Sequence, residues 1–260
     1  MTFTPNSTGA PGITDAIAIS AGAAHACALI QGGEVVCWGY NVHGEVGDGT
    51  TQRRLTAVAV HNLNDATAIS VGGSQACALR RSGQVACWGG NDYGQLGDGT
   101  TDQRLTPVAV QGLTDATAIS AALTQSCALR QAGDIACWGS PTGEVSTNQL
   151  IPKDLGFTHA TAISTTYQHA CTLFESAQAA CWGYNSAGQL GNGVSSDGPM
   201  LTPGPVLDLD DATAISTGGA HSCALRRNAH VDCWGTNNWG QLGDSTTTSH
   251  FTPSSVLAVQ

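Results

Sequence analysis

The chain has 260 residues, a net charge of −10 and only 11% charged residues, with 9 lysines and arginines against 19 acidic residues. A nucleic-acid-binding surface needs clustered basic residues, so this balance predicts no nucleic-acid partner. No stretch approaches the about 20 consecutive apolar residues that cross a bilayer, and we expect no membrane insertion. The first residues also lack the basic segment and long apolar segment of a signal peptide.

One phrase recurs five times, and its best copies read Cys-Ala-Leu-x-x-x-Gly-x-Val-x-Cys-Trp-Gly. The five Cys-Trp-Gly triplets begin at Cys37, Cys87, Cys137, Cys181 and Cys233. A phrase that returns at such nearly regular intervals, with short strands and glycine turns between its copies, is typical of one β unit stacked repeatedly. We therefore predict one repeat domain over 1–260, with repeats at about 14–63, 64–113, 114–158, 159–210 and 211–257.

Copy two shows the strands of the repeat most clearly. Its alternating or apolar segments predict strands at Asp65–Ser70, Gln75–Leu79, Gln84–Gly89 and Leu105–Val110. The loop Asn91–Thr100 is punctuated by glycines. Four short strands per copy predict an all-β fold, a β-propeller of five four-stranded blades. A closed five-blade ring is favoured, and an open five-blade arc of a larger propeller is the alternative.

The second and third strands of each copy form a predicted hairpin with a three-residue turn. The third turn position favours a left-handed residue, usually glycine. Gly33, Gly83 and Gly133 stand there in the first three copies. Ala177 and Ala229 replace glycine in the last two copies, so we expect those turns to differ.

This turn places the two cysteines of each copy directly opposite each other, with Cα atoms about 4.5 Å apart, a spacing that a disulfide tolerates. The pairs are Cys27 with Cys37, Cys77 with Cys87, Cys127 with Cys137, Cys171 with Cys181, and Cys223 with Cys233. Cross-strand disulfides are favoured over buried free thiols and over a metal site. Disulfides imply an oxidising compartment: secreted, periplasmic or cell-surface.

The metal alternative depends on histidines two residues before a cysteine: His25, His169 and His221. Copies two and three carry Gln75 and Gln125 at that position, and a metal ligand would not be exchanged for glutamine. The chain also lacks the Cys-x(2–4)-Cys spacing of structural zinc sites. We therefore expect no metal.

Four phrases together resemble the regulator-of-chromosome-condensation repeat family over about 14–257. They are His-x-Cys-Ala-Leu, Val-x-Cys-Trp-Gly, Asn-x-x-Gly-Gln-Leu-Gly-Asp-Gly-Thr and Thr-Pro-x-x-Val. The cysteine pair is similar to the bacterial, exported branch of the family. The resemblance implies a propeller, usually of seven blades, with guanine-nucleotide exchange and β-lactamase inhibition as known functions. Copy three departs from the pattern, because Gly139–Ser146 loses one residue and the Gly-Asp-Gly end.

Few residues point to chemistry. No nucleophile, metalloprotease or phosphate-binding motif occurs, so we expect no catalytic residues, no cofactor and no enzyme activity. The repeated tryptophans are expected to pack between blades. Asp48 and Asp98 begin Asp-Gly-Thr phrases that have some similarity to calcium loops, but the alternating acidic ligands are missing, and turn formation is the simpler role.

Aromatic residues and histidine recur where the copies differ, in the loop after each Cys-Trp-Gly. Equivalent propeller loops emerge on one face, and exposed aromatic side chains there are frequent binding anchors. The candidate binding residues are Tyr40, His43, Tyr93, Tyr184 and Trp239. Simple packing within the loops is the alternative role.

The function predicted from these residues is a non-enzymatic, exported scaffold that binds a protein or a glycan. A structural surface or matrix protein that self-associates through its outer strands is the alternative.

Overall fold

The computed structural model describes residues 4–5, 11–144, 148–167 and 169–258. Blade 1 contains β3 (Ala16–Ala21), β4 (His25–Ile30), β5 (Val35–Gly39) and β6 (Arg54–Ala59). Blade 2 contains β7 (Ala66–Val71), β8 (Gln75–Arg80), β9 (Val85–Gly89) and β10 (Arg104–Ala109). Blade 3 contains β11 (Ala116–Ala121), β12 (Gln125–Arg130), β13 (Ile135–Gly139) and β14 (Gln149–Asp154).

Blade 4 contains β15 (Ala160–Thr165), β16 (His169–Phe174), β17 (Ala179–Asn185) and β18 (Ser196–Pro205). Blade 5 contains β19 (Ala212–Thr217), β20 (His221–Arg226), β21 (Val231–Gly235) and β22 (His250–Ser255). Before blade 1, β1 (Thr4–Pro5) pairs with β2 (Pro11–Gly12). The described residues thus form five four-stranded antiparallel sheets, each paired in chain order, as the repeat predicts.

Each blade contains one cross-strand disulfide between its second and third strands. In blade 1, Cys27 lies opposite Cys37 and Leu29 opposite Val35, which is the predicted register. The Cα atoms of this cysteine pair are 4.1 Å apart, and the other four blades repeat the arrangement. All ten cysteines are joined in the predicted pairs.

The hydrophobic cores lie between neighbouring blades. Leu29 and Val35 of blade 1 share one buried cluster with Val71 and Trp88 of blade 2, and the blade 1 disulfide belongs to the same cluster. Three further clusters join the later blades in the same way. A blade therefore buries its apolar face only when the next blade covers it, as expected for a stacked repeat.

Polar contacts repeat at the same interfaces. The indole Nε1 of Trp88 donates to the Glu45 carbonyl of the preceding blade at 2.9 Å, and Trp138 and Trp234 make the equivalent bond at the same distance. The Val71 amide donates to Ser20 Oγ at 3.0 Å, and three later interfaces repeat that bond. Trp88, Trp138 and Trp234 therefore pack between blades as predicted, and Trp182 joins the cluster that blade 4 shares with blade 3. Trp38, in the first blade, packs instead against residues of its own blade such as Val36.

The two ends of the blade series remain uncovered by described residues. Ile19 of blade 1 is 71% exposed, whereas its counterpart Ile69 packs against the preceding blade. At the other end, Leu225 of blade 5 is 41% exposed, whereas its counterpart Leu29 is 1% exposed. The closed ring favoured from the sequence is therefore not confirmed, and the exposed end faces correspond to the alternative, an open arc.

The hairpin turns of blades 4 and 5 correct a further expectation. Ala177 and Ala229 adopt φ of 64° and 66°, so they are left-handed like Gly83, whose φ is 80°. The expectation that these turns differ is wrong, because the cross-strand register fixes the turn even where a Cβ makes it strained. A left-handed residue with a side chain costs roughly 1–2 kcal/mol.

Replacing the exposed Ala229 by glycine should therefore raise the free energy of unfolding by about 0.5–1 kcal/mol, measured by urea denaturation. The reverse change, Gly83→Ala, should lower it by about 2 kcal/mol or more. A Cβ at Gly83 would lie 2.6 Å from the Thr114 carbonyl oxygen, in addition to the backbone strain. A loss of stability in Ala229→Gly would contradict the proposed strain.

Two buried histidines lie at the blade interfaces. Burial lowers the pKa of His25 and of His169 to about 4. Nε2 of His169 lies 2.7 Å from Ser222 Oγ of blade 5. In copy two the same position holds Gln75, which donates to the Ala122 carbonyl of the next blade at 2.8 Å. The position thus makes interblade contacts with either residue type.

These histidines should make the fold sensitive to acid. An unfolded histidine has a pKa near 6.5, so between pH 6.5 and pH 4 the unfolded chain binds more protons, and stability falls as pH falls. By pH 4.5 each histidine should have lost about 2–3 kcal/mol of stability relative to pH 7. The double variant His25→Gln/His169→Gln should lose much less stability over this pH range, as measured by urea denaturation. The control is His61→Gln, because His61 is exposed. An unchanged pH dependence in the double variant would contradict this assignment.

Candidate functional site

One face of the arc carries the residues that the sequence singled out. Because neighbouring strands run in opposite directions, the turn between the first and second strands of a blade lies beside the loop between its third and fourth strands. Backbone hydrogen bonds join the two segments, as from Gly90 N to the Ser74 carbonyl and from Ser140 N to the Thr124 carbonyl, both 2.7 Å. We call the surface formed by these turns and loops the loop face. It comprises residues at about 22–24, 40–53, 72–74, 90–103, 122–124, 140–144, 166–167, 184–195, 218–220 and 236–249.

A buried asparagine holds the loop in four of the five blades. In blade 2, Asn91 donates to the carbonyls of Thr100 and Asp102, both at 3.0 Å, and accepts from the Leu96 amide at 2.9 Å. Asn41, Asn185 and Asn237 make comparable bonds in blades 1, 4 and 5. The hydrogen bonds of the asparagine therefore make each of these loops a rigid support for its variable residues.

The Asp-Gly-Thr phrases are part of the same support. Asp48 accepts hydrogen bonds from the Thr50 amide at 3.0 Å and from the Thr50 hydroxyl at 2.8 Å, and it forms an ion pair with Arg54. Burial acts to raise the pKa of Asp48, but the bonds from Thr50 and Arg54 outweigh it and lower that pKa. Asp98 has the same partners in blade 2, Thr100 and Arg104. Both carboxylates are thus engaged in turn formation, the role favoured over calcium binding.

The five candidate binding residues all lie on the loop face, but not together. Tyr40 directly follows Cys-Trp-Gly in blade 1 and is 38% exposed, and Tyr184 holds the equivalent position in blade 4. His43, Tyr93 and Trp239 share a second repeat position, three residues further along the loop. Trp239 is 90% exposed, whereas His43 and Tyr93 are half-buried. Tyr93 and Tyr184 line one cavity together, and Tyr40, His43 and Trp239 are not among its lining residues.

This cavity, which we call the tyrosine cavity, lies across blades 2, 3 and 4 and has a volume of about 300 Å³. Tyr167 also lines it and is 59% exposed. Its lining residues are Ser74, Tyr93, Leu123, Thr124, Thr142, Gly143, Tyr167 and Tyr184. The sequence reasoning missed Tyr167, which lies in a first-to-second-strand turn, because it considered only the loops after Cys-Trp-Gly. The available signal was an aromatic residue in a turn that holds Gly72-Gly73 in copy two.

Neither a membrane helix nor a metal cluster is found in the described part of the chain. None of its segments forms a helix long and apolar enough to cross a bilayer. Among the same residues, no three histidine, cysteine, aspartate or glutamate side chains come together as a metal site.

Solved structures of similar shape share the fold at low sequence identity. Human WBSCR16 matches with a TM-score of 0.78 and 20% identity over 94% of this chain and 67% of its own length. Prp20p from Saccharomyces cerevisiae, whose structure was described together with its binding to Gsp1p and histones, matches with a TM-score of 0.81 and 18% identity over 94% of this chain and 63% of its own. The ectodomain of the Physcomitrella patens receptor kinase CR4 matches less closely, with a TM-score of 0.54 and 23% identity over 85% of this chain and 50% of its own.

Sequence models of one repeat type match along the chain. One model of the regulator of chromosome condensation (RCC1) repeat matches residues 82–129 and 181–225. A second model of the same repeat matches residues 16–45, 66–95 and 212–241. The matched segments together span more than half of the chain and agree with the blade pattern of the structure. The chain therefore belongs to the RCC1 repeat family.

Proposed function

We propose that this protein is a non-enzymatic, exported scaffold that binds a protein or glycan partner through the aromatic residues of its loop face. The observation that carries the proposal is the recurrence of aromatic side chains at variable repeat positions on one face, with Tyr93 and Tyr184 meeting in one cavity. Loops held by buried asparagines present these side chains with little further loss of conformational freedom on binding, which favours affinity. Tyrosine and tryptophan are the residue types enriched at such contacts.

The lining of the tyrosine cavity supports a binding role over catalysis. The eight described residues that line it include no carboxylate, histidine or thiolate, which are the groups that acid–base and nucleophilic catalysis most often use. Cavities with apolar walls and a few polar groups are typical ligand sites. The loop face thus offers surfaces for recognition and no converging reactive groups within this cavity.

The disulfides support an exported location. All five blades carry a cross-strand bridge, and such bridges persist in oxidising compartments rather than in the reducing cytosol. A secreted, periplasmic or cell-surface protein fits this chemistry. The same compartment argues against nucleotide exchange on a small GTPase, and at 18–20% identity the solved relatives transfer only their fold. For β-lactamase inhibition, no motif of this chain allows contact residues to be transferred from the family members that have this function.

Replacing three loop-face aromatics together, Tyr40→Ala/Tyr93→Ala/Trp239→Ala, should abolish partner binding while the melting temperature stays near that of the wild type. The measurement compares fluorescently labelled proteins on a neutral and acidic glycan array and on immobilised secreted proteins. The matched control, Leu55→Ala/Ile151→Ala/Phe251→Ala, removes exposed apolar side chains from the outer strands. Binding that survives the first triple variant, or that disappears equally in the control, would refute the proposal.

Self-association as a structural protein is the second candidate, and the exposed end faces of the arc favour it. Ile19 at one end and Leu225 at the other are apolar side chains whose counterparts in the middle of the arc are covered. A molecular mass that rises with concentration in light scattering would favour this candidate. A monomer throughout would leave the loop-face scaffold as the function.

A further inference from the structure

The tyrosine cavity exists because the third blade departs from the repeat. The third and fourth strands are separated by residues 140–148 in blade 3 and by residues 90–103 in blade 2, so the loop of blade 3 is five residues shorter, and Pro141 stands where the asparagine of the other loops would be. Gly143 has φ of 74°, matching Gly94 of blade 2 at 75°, but no aromatic residue precedes it as Tyr93 precedes Gly94. The short loop leaves a gap that the tyrosines of blades 2 and 4 flank.

The walls of the cavity combine aromatic rings with hydroxyl groups. Tyr93, Tyr167 and Tyr184 are three of the chain's four tyrosines. Tyr184 Oη donates to the Thr142 carbonyl at 3.3 Å, which connects its ring to the short loop of blade 3. Tyr93 is held through its backbone amide, which donates to Gln95 Oε1 at 2.9 Å. The Tyr184 ring is thus anchored by its own hydroxyl, and the backbone that carries the Tyr93 ring is fixed.

The described lining of the cavity carries no charged side chain. Serine, threonine, leucine, glycine and tyrosine make up its whole described lining, and none of these residues is charged at neutral pH. The chain as a whole carries a net charge of −10. An anionic ligand would therefore find no basic partner in the cavity and an unfavourable long-range field.

From this arrangement we infer that the tyrosine cavity is a binding subsite for a neutral sugar residue of an oligosaccharide. The C–H groups on one side of a pyranose ring form an apolar surface that packs on an aromatic ring, while its hydroxyls exchange hydrogen bonds with tyrosine, serine and threonine. A volume of about 300 Å³ is at the small end of ligand cavities and suits one or two sugar units. The inference rests on the proposed function and narrows its partner to a neutral glycan at this site.

The outer strands supply control residues away from the loop face. Leu55 of β6 is 87% exposed and Ile151 of β14 is 49% exposed, and neither residue is among those that line the cavity. A change that acts through the cavity should separate its tyrosines from these two exposed apolar residues.

The test is saturation-transfer-difference NMR with four probes at equal concentration: maltotetraose, cellotetraose, tetra-N-acetylchitotetraose and tetragalacturonate. At least one neutral tetrasaccharide should bind, and tetragalacturonate should not. Tyr93→Ala and Tyr184→Ala should each weaken binding by about tenfold or more. Tyr184→Phe, which keeps the ring, should retain most of the binding. Leu55→Ala and Ile151→Ala should bind like the wild type.

Three results would overturn the subsite. They are no binding of any neutral tetrasaccharide, an equal loss in Leu55→Ala and Tyr184→Ala, or binding of a neutral tetrapeptide, Ala-Pro-Leu-Ala amide, in place of the sugars. Circular dichroism of each variant separates a local loss from unfolding. If the sugars fail while the loop-face triple variant still abolishes partner binding, the subsite is wrong and the proposed function remains.

Discussion

The cross-strand disulfide of a blade is the contact on which the rest of the structure depends, and in blades 1 to 4 it is buried against the next blade. A repeat of this size buries too little apolar surface to be stable alone, and small units of this kind generally need an additional constraint. The bridge holds the second and third strands in one register, so that Leu29 and Val35 lie side by side on the face that blade 2 covers. Short disulfide loops of this kind contribute roughly 2–3 kcal/mol in the chain-entropy description.

Rigidity at the blade interfaces also explains how the loop face can vary without loss of the fold. The indole bond of Trp88 and the serine bond of Ser20 hold neighbouring blades together below the loops. Buried asparagines then fix each loop from within, as Asn91 does in blade 2. The side chains of Tyr93 and Trp239 take no part in these structural hydrogen bonds. Their identity can therefore follow the requirements of binding.

Much of the fold follows directly from the sequence. Glycine at the hairpin turn, two cysteines ten residues apart and alternating apolar residues determine the strand register, because a shift of one residue would move the cysteines to opposite faces. The same local pattern could not reveal that Ala177 and Ala229 keep the turn, since the strain there is overcome by the paired strands. Closure of the ring could not be predicted either, because it depends on the geometry accumulated over five blades.

The candidate site was predictable only in part. The variable aromatic positions stand out against the repeat, so Tyr93 and Tyr184 could be identified one by one. Their meeting in one cavity depends on the short loop of blade 3 and on Tyr167, which comes from a different turn. Such a juxtaposition joins residues far apart in the sequence and requires the three-dimensional arrangement of three blades.

The most direct test of the central disulfide interaction is the thiol state of the protein recovered from its native compartment. The protein is denatured without reductant, treated with iodoacetamide and analysed by intact mass and by mapping of its proteolytic peptides. The structure predicts no alkylated cysteine and linked peptides that join Cys27 to Cys37, with the same pairing in the other four copies. Alkylation of the cysteines without prior reduction, or linkage between different copies, would contradict the account.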